Sequence, residues 1–235
     1  MCGATRIEGV QKLNSARVAR AVSLVLAALL SSWLWVAPQP ARAQGDARPI
    51  NQQLLAAVRA ADVPRIESLL AQGADVDARN RVGDTLLNAA ARRGNLRLVQ
   101  LALARGAKVD LANTAGITPL MSAAFGGHEA IVGLLIERRA PLEPLDRLGR
   151  SALIYAAGAG QVRVVQRLLE AGAQVDHRGA NQLTPLMWAA GQGHADVVKL
   201  LLARGADASL VDDRGKSARQ IAADQQHAAV LAALP

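Results

Sequence analysis

Helix-capping residues recur along this chain at a fixed interval: Thr85, Thr118, Ser151, Thr184 and Ser217 stand 33 positions apart. The same interval links the alanine pairs at 90 and 91, 123 and 124, 156 and 157, 189 and 190, and 222 and 223. It also links Gly94, Gly127, Gly160 and Gly193. A period of this length marks one small helical unit, unable to bury its apolar face alone, stacked on copies of itself. Composition supports the stack. Half the residues are apolar, yet aromatics make up 2%, and only Phe125, Tyr155 and Trp188 lie within the repeats. A core of Ala, Leu and Val suits thin, closely packed helices.

Each part of the unit has a physical reason. In Gly116-Ile117-Thr118-Pro119-Leu120 the threonine caps the first free N–H groups, and proline suits the first helical position. The alanine pair makes a helix face thin enough for a neighbour to approach. Gly127 supplies the left-handed residue that ends the short helix. From His128, apolar Ile131, Val132, Leu134 and Leu135 at helical spacing predict a second helix. Gly73, Gly106, Gly172 and Gly205, each followed by Ala, close that helix in most copies.

This pattern resembles the ankyrin repeat. The run Thr184-Pro185-Leu186-Met187-Trp188-Ala189-Ala190-Gly191-Gln192-Gly193-His194 departs from the family motif only at Met187, where histidine is usual. The resemblance implies an all-α solenoid of about six helix-turn-helix units joined by short β-hairpin-like loops. Four complete repeats occupy 81–113, 114–146, 147–179 and 180–212, between an N-terminal cap at 51–80 and a C-terminal cap at 213–235. Two departures mark the loops. Arg139 stands at the post-helix glycine position, with Pro141 and Pro144 after it, so an irregular hairpin is expected there. Gln182 replaces the turn glycine of the fifth unit.

Residues 1–43 read as an export signal of the general secretory type. Arg6, Lys12, Arg17 and Arg20 precede an apolar run from Ala21 to Ala37, and Ala41-Arg42-Ala43 forms a small-x-small cleavage site. Cleavage after Ala43 would place the mature chain in a bacterial periplasm, with 44–50 as a linker. The competing reading is a retained membrane anchor, for which the apolar run is short. The single cysteine is Cys2, so a processed chain has no thiol for disulfides, catalysis or zinc. The net charge of +8 falls with the removed segment to 22 basic and 18 acidic residues, or +4. That weakens any argument for nucleic acid as a partner.

No paired carboxylates, phosphate loop or nucleophile elbow stands out, so no enzyme activity, cofactor or metal is expected. Gly158-Ala159-Gly160 looks like a dinucleotide-loop fragment but falls at a helix end within a repeat. His128, His194 and His227 share one repeat position and read as local hydrogen-bonding groups. Ligands one repeat apart would be about 10 Å apart, too far to share one zinc. His177 stands alone in a hairpin. Tyr155 and Trp188 occupy equivalent positions on successive first helices, where packing between repeats is favoured over a stacking platform.

What the resemblance implies about function is protein binding through hairpin tips and the concave side of the first helices. On this chain those positions are Arg81, Arg92, Arg93, Ile117, Phe125, Arg147, Leu148, Arg150, Leu183 and Gln192. Arginines 92, 93, 147 and 150 are expected to form a basic strip beside Phe125. The partner is then another protein, not nucleic acid and not a membrane once the signal is removed, and the chain is expected to be a monomer. Two roles stand open: support of a stress-protective or partner enzyme, and inhibition of a toxin or secreted enzyme by the concave face.

Overall fold

The structure is a computed structural model that describes residues 47–235, so the segment read as an export signal and its expected cleavage site lie outside the described residues. Twelve α-helices follow one another in pairs, with no strands among the described residues. The first pair is α1 (Ala47–Ala60) and α2 (Val63–Ala71). The next four are α3 (Leu86–Arg92) with α4 (Leu96–Ala104), α5 (Pro119–Phe125) with α6 (Glu129–Glu137), α7 (Ala152–Gly158) with α8 (Val162–Glu170), and α9 (Pro185–Gly191) with α10 (Ala195–Ala203). A last pair, α11 (Ala218–Asp224) and α12 (Ala228–Ala233), closes the chain. The helix α1 starts within the stretch read as linker, because Pro49 falls in its first turn, where a missing N–H costs nothing.

The periodic residues act as the spacing suggests. Thr85, Thr118, Ser151, Thr184 and Ser217 each accept a hydrogen bond from the backbone N–H three residues on. Ala90, Ala91, Ala123, Ala124, Ala156, Ala157, Ala189 and Ala190 are at most 1% exposed. The last pair differs: Ala222 is buried, but Ala223 is exposed. Helices α3, α5, α7, α9 and α11 stack into one layer, and α4, α6, α8, α10 and α12 into a second. Leu98, Val99, Ile131, Val132, Val164, Val165, Val197 and Val198 fill the space between the layers.

The glycines that end the helices hold left-handed backbone, with φ of 71° at Gly127 and 72° at Gly160. Arg139 also adopts this geometry, at φ 61°, and its N–H still closes on the Ile136 carbonyl. The strain of a non-glycine residue there is about 1 kcal/mol. The following hairpin is irregular, as the prolines suggested. Ala78 and His177 donate turn hydrogen bonds to Asp75 and Gln174, but Pro144, in the same repeat position, has no N–H to donate.

The hairpins are tied by a second periodic device. Oδ1 of Asn80, Asn113, Asp146 and Asp212 each accepts the N–H groups two and four residues ahead. Successive tips are joined by backbone hydrogen bonds from Thr114 to Val82, Arg147 to Ala115, Ala180 to Gly149 and Asp213 to Asn181. The fifth unit departs from both patterns. Gly179 stands where the others have Asn or Asp, and residues Ala180–Gln182 form a single 3-10 turn with Asn181 and Gln182 left-handed.

Candidate functional site

The site begins with the C-terminal ends of the first helices. Each has carbonyls without intrahelical partners, and a side chain from the next unit reaches back to one of them. Nε2 of His128 lies 3.4 Å from the Arg92 carbonyl, that of His194 3.0 Å from Gly158, and that of His227 3.1 Å from Gly191. A carbonyl only accepts, so Nε2 carries the proton in each. Gln161 makes the same contact to the Phe125 carbonyl at 3.4 Å. The expected hydrogen-bonding role of these histidines therefore holds, and it acts between repeats. His177 instead pairs through Nδ1 with Glu143 at 2.7 Å.

Along the first-helix face, Phe125 is 59% exposed, the most exposed aromatic ring among the described residues. Its ring meets that of Tyr155 edge-on, with centroids 5.9 Å apart and planes at 83°. The Arg150 guanidinium lies 4.5 Å from the Tyr155 ring centroid. The Tyr155 hydroxyl donates to Oδ2 of Asp146 at 2.6 Å, and Arg150 donates to the same oxygen through Nε at 3.1 Å and Nη2 at 2.9 Å. Asp146 is buried and has both oxygens engaged, Oδ1 by the hairpin amides and Oδ2 by this pair. One carboxylate thus fixes the turn, the arginine and the phenol together.

The electrostatics follow from that arrangement. Burial alone would raise the Asp146 carboxyl, but the hydrogen bonds from Tyr155 and Arg150 outweigh it and hold it below its ordinary value. Burial and the bond to Asp146 push the Tyr155 phenol well above its usual range, with Arg150 pulling weakly the other way. Neither group is set up to move a proton near neutrality. Their hydrogen bonds are used for position.

Beside this cluster the face sinks into a cavity of about 210 Å³. Phe125, Tyr155, Ile154 and Trp188 line it, Gly158 lies among them, and Arg150 and Gln192 add polar groups. The structure therefore brings together Phe125, Arg150 and Gln192 of the expected binding residues. Arg81, Arg147 and Leu148 are exposed at hairpin tips, with Leu148 at 64%. Ile117 and Leu183 are half-buried against the core.

The expected basic strip is corrected. Three of its four arginines are committed within the chain. Arg92 pairs at 2.7 Å with Asp84, a carboxylate so buried that leaving it unpaired would be costly. Arg93 donates to the Val58 and Arg59 carbonyls, capping α1. Arg150 holds Asp146. Of the four, Arg147 alone has neither an ion pair nor a side-chain hydrogen bond among the described residues. The packing role expected of Tyr155 and Trp188 is only part of their arrangement, since both also line an open cavity. Sequence reasoning missed Asp146 and Gly158. The signal for Asp146 was present: it shares the 33-residue slot of Asn80, Asn113 and Asp212.

A family model covering three copies of the ankyrin repeat matches residues 54–144, 97–179, 134–213 and 153–234, which together run across the paired helices. This chain belongs to the ankyrin repeat family. No individual curated protein matches it at a significant level. Ankyrin repeats generally mediate protein–protein interaction and are typically non-catalytic. Among the described residues no group of acidic, histidine or cysteine side chains could hold a metal ion, and no helix is long and apolar enough to cross a membrane.

Proposed function

We propose that this ankyrin protein is an exported, monomeric binding module of a bacterial periplasm that holds another protein against its first-helix face and has no catalysis of its own. The observation that carries the binding face is Phe125. It is a large, exposed aromatic beside an arginine and two further rings. Aromatics and arginine are the types enriched at interface centres. The outer, second-helix face has no exposed aromatic among the described residues. The periplasmic placement rests on the basic start, apolar run and small-x-small site of residues 1–43, and on the absence of cysteine after Cys2.

The test is affinity capture from the periplasm with three forms of the protein. The wild type and Gly133→Leu, a change on the outer helix α6 where an added Cβ meets nothing, recover the same partner. Phe125→Ala loses it. Recovery by Phe125→Ala and loss by Gly133→Leu would move the binding face to the opposite side. Mass spectrometry of the same fraction checks the address: the expected N-terminus is Gln44, and a chain retaining Met1 would refute export with cleavage.

A further inference from the structure

Gly158 is the last residue of α7 and has no structural need to be glycine. Its φ is not left-handed, unlike that of Gly160 two residues on. A Cβ built on it would meet Trp188 at 3.5 Å, an ordinary contact, with no backbone atom in the way. Glycine in a helix costs stability relative to alanine. The effect of its missing side chain is to leave open the cavity among Phe125, Tyr155 and Trp188. By contrast, a Cβ on Gly160 would strike the His194 ring at 2.7 Å.

The chemistry of the cavity restricts what enters. At about 210 Å³ it is smaller than the pockets that enclose drug-sized ligands, and it suits one side chain. A cation is excluded, because the Arg150 guanidinium already lies over the Tyr155 ring. An anion would have to be desolvated among aromatic and aliphatic walls. The remaining class is a neutral aromatic or large aliphatic side chain, which can add edge-on contacts to rings already set in that geometry. The nearby hairpin supplies the charge for its flanks: Arg147, three residues before the cavity-lining Arg150, is exposed and makes no ion pair among the described residues.

We propose that this cavity is an anchor pocket for a single aromatic or large aliphatic side chain presented by an acidic segment of a partner protein. The inference rests on the reading of the first-helix face as the binding surface, and it adds the class of residue recognised there. Gly158 sets the depth of the pocket, the Phe125, Tyr155 and Trp188 rings its walls, and Arg147 its preference for acidic flanks.

The probe is a displayed library of random dodecapeptides selected on the purified full-length protein, followed by affinity measurements with the synthesised winners. The expected winners share one Phe, Trp, Tyr or Leu flanked by Asp or Glu, and their affinity falls as salt rises. Gly158→Ala, which fills the floor by one methyl group, weakens them at least threefold while leaving the melting temperature unchanged or higher. Gly158→Leu weakens them at least tenfold, and Gly133→Leu leaves them unaffected. Winners that bind both Gly158 variants as well as wild type, yet are lost with Phe125→Ala, would overturn the pocket and leave the binding face standing. Basic or motif-free winners would overturn the acidic-segment assignment. Recovery of no binding peptide would count against the pocket and the face together.

Discussion

The hairpins of the fourth and fifth units are adjacent in space and have the same length, yet they are held by different means. In the fourth, Asp146 accepts two turn amides with one oxygen and the Tyr155 phenol and Arg150 guanidinium with the other. In the fifth, Gly179 has no side chain to do this. The turn is closed by the Leu183 N–H on the Ala180 carbonyl and by the Gly179 N–H on the Leu183 carbonyl. It also joins its neighbour one residue out of step, through Ala180 to Gly149 rather than to Leu148. Glycine there is a requirement of close approach, since a Cβ would lie 2.3 Å from the Gly149 carbonyl oxygen. A side-chain clamp fixes both the loop and the rings beside it. A backbone turn fixes the loop alone. Phe125 and Tyr155 meet beside the clamp, and Trp188 of the fifth unit lines the same cavity.

The contrast can be broken most severely at the clamp. Asp146→Ala leaves two turn amides, a phenol and a guanidinium without their acceptor, and is expected to lower unfolding free energy by about 2–4 kcal/mol. Chemical denaturation measures it, and a loss below half a unit would mean the carboxylate is dispensable. Next comes Gly179→Ala, expected to cost about 1–3 kcal/mol as the added carbon pushes against the Gly149 carbonyl. No change there would show that the out-of-step contact is not fixed.

A subtler change is Tyr155→Phe, which removes one hydrogen bond to a buried carboxylate and should cost about 1–2 kcal/mol at neutral pH. Its pH profile sharpens the assignment. The folded Asp146 carboxyl is held below its ordinary value, so its contribution is present above about pH 4 and is lost as pH falls through the lower folded value. The Tyr155 phenol is shifted upward, so its contribution is present below about pH 10 and is lost as pH rises beyond it. The stability gap between wild type and Tyr155→Phe should therefore be widest at neutral pH and narrow at both ends. A gap independent of pH would show that the hydroxyl does not bond to the carboxylate.

The smallest effect is expected at Gln182→Gly. Gln182 holds φ 58°, and glycine relieves that strain at the cost of a freer unfolded chain, for a net gain of roughly 0.5 kcal/mol. A loss instead would mean that the bond from Arg178 to the Gln182 side chain, at 2.9 Å, outweighs the strain.

Much of this fold was legible because its determinants are local and repeated. Thr118 caps α5 through the next turn, and Ala123 and Ala124 mark a close helix contact wherever they recur. The site was less legible because its contacts join residues from different units. Arg93 looks like a surface cation in sequence, but it caps a helix that ends more than thirty residues earlier. Arg150 looks like part of a basic strip, yet its charge is spent on Asp146. Tyr155 and Trp188 could be assigned to inter-repeat packing from their positions. That Gly158 leaves space between them depends on what lies around it in three dimensions, which no single-repeat pattern encodes.

The binding face can be tested directly by photocrosslinking in intact cells. A benzoylphenylalanine probe is placed either at Phe125, where one aromatic replaces another, or at Gln100 on the outer helix α4. The account predicts a discrete crosslinked protein adduct from position 125 and none from position 100. An adduct from position 100 with none from position 125 would contradict it.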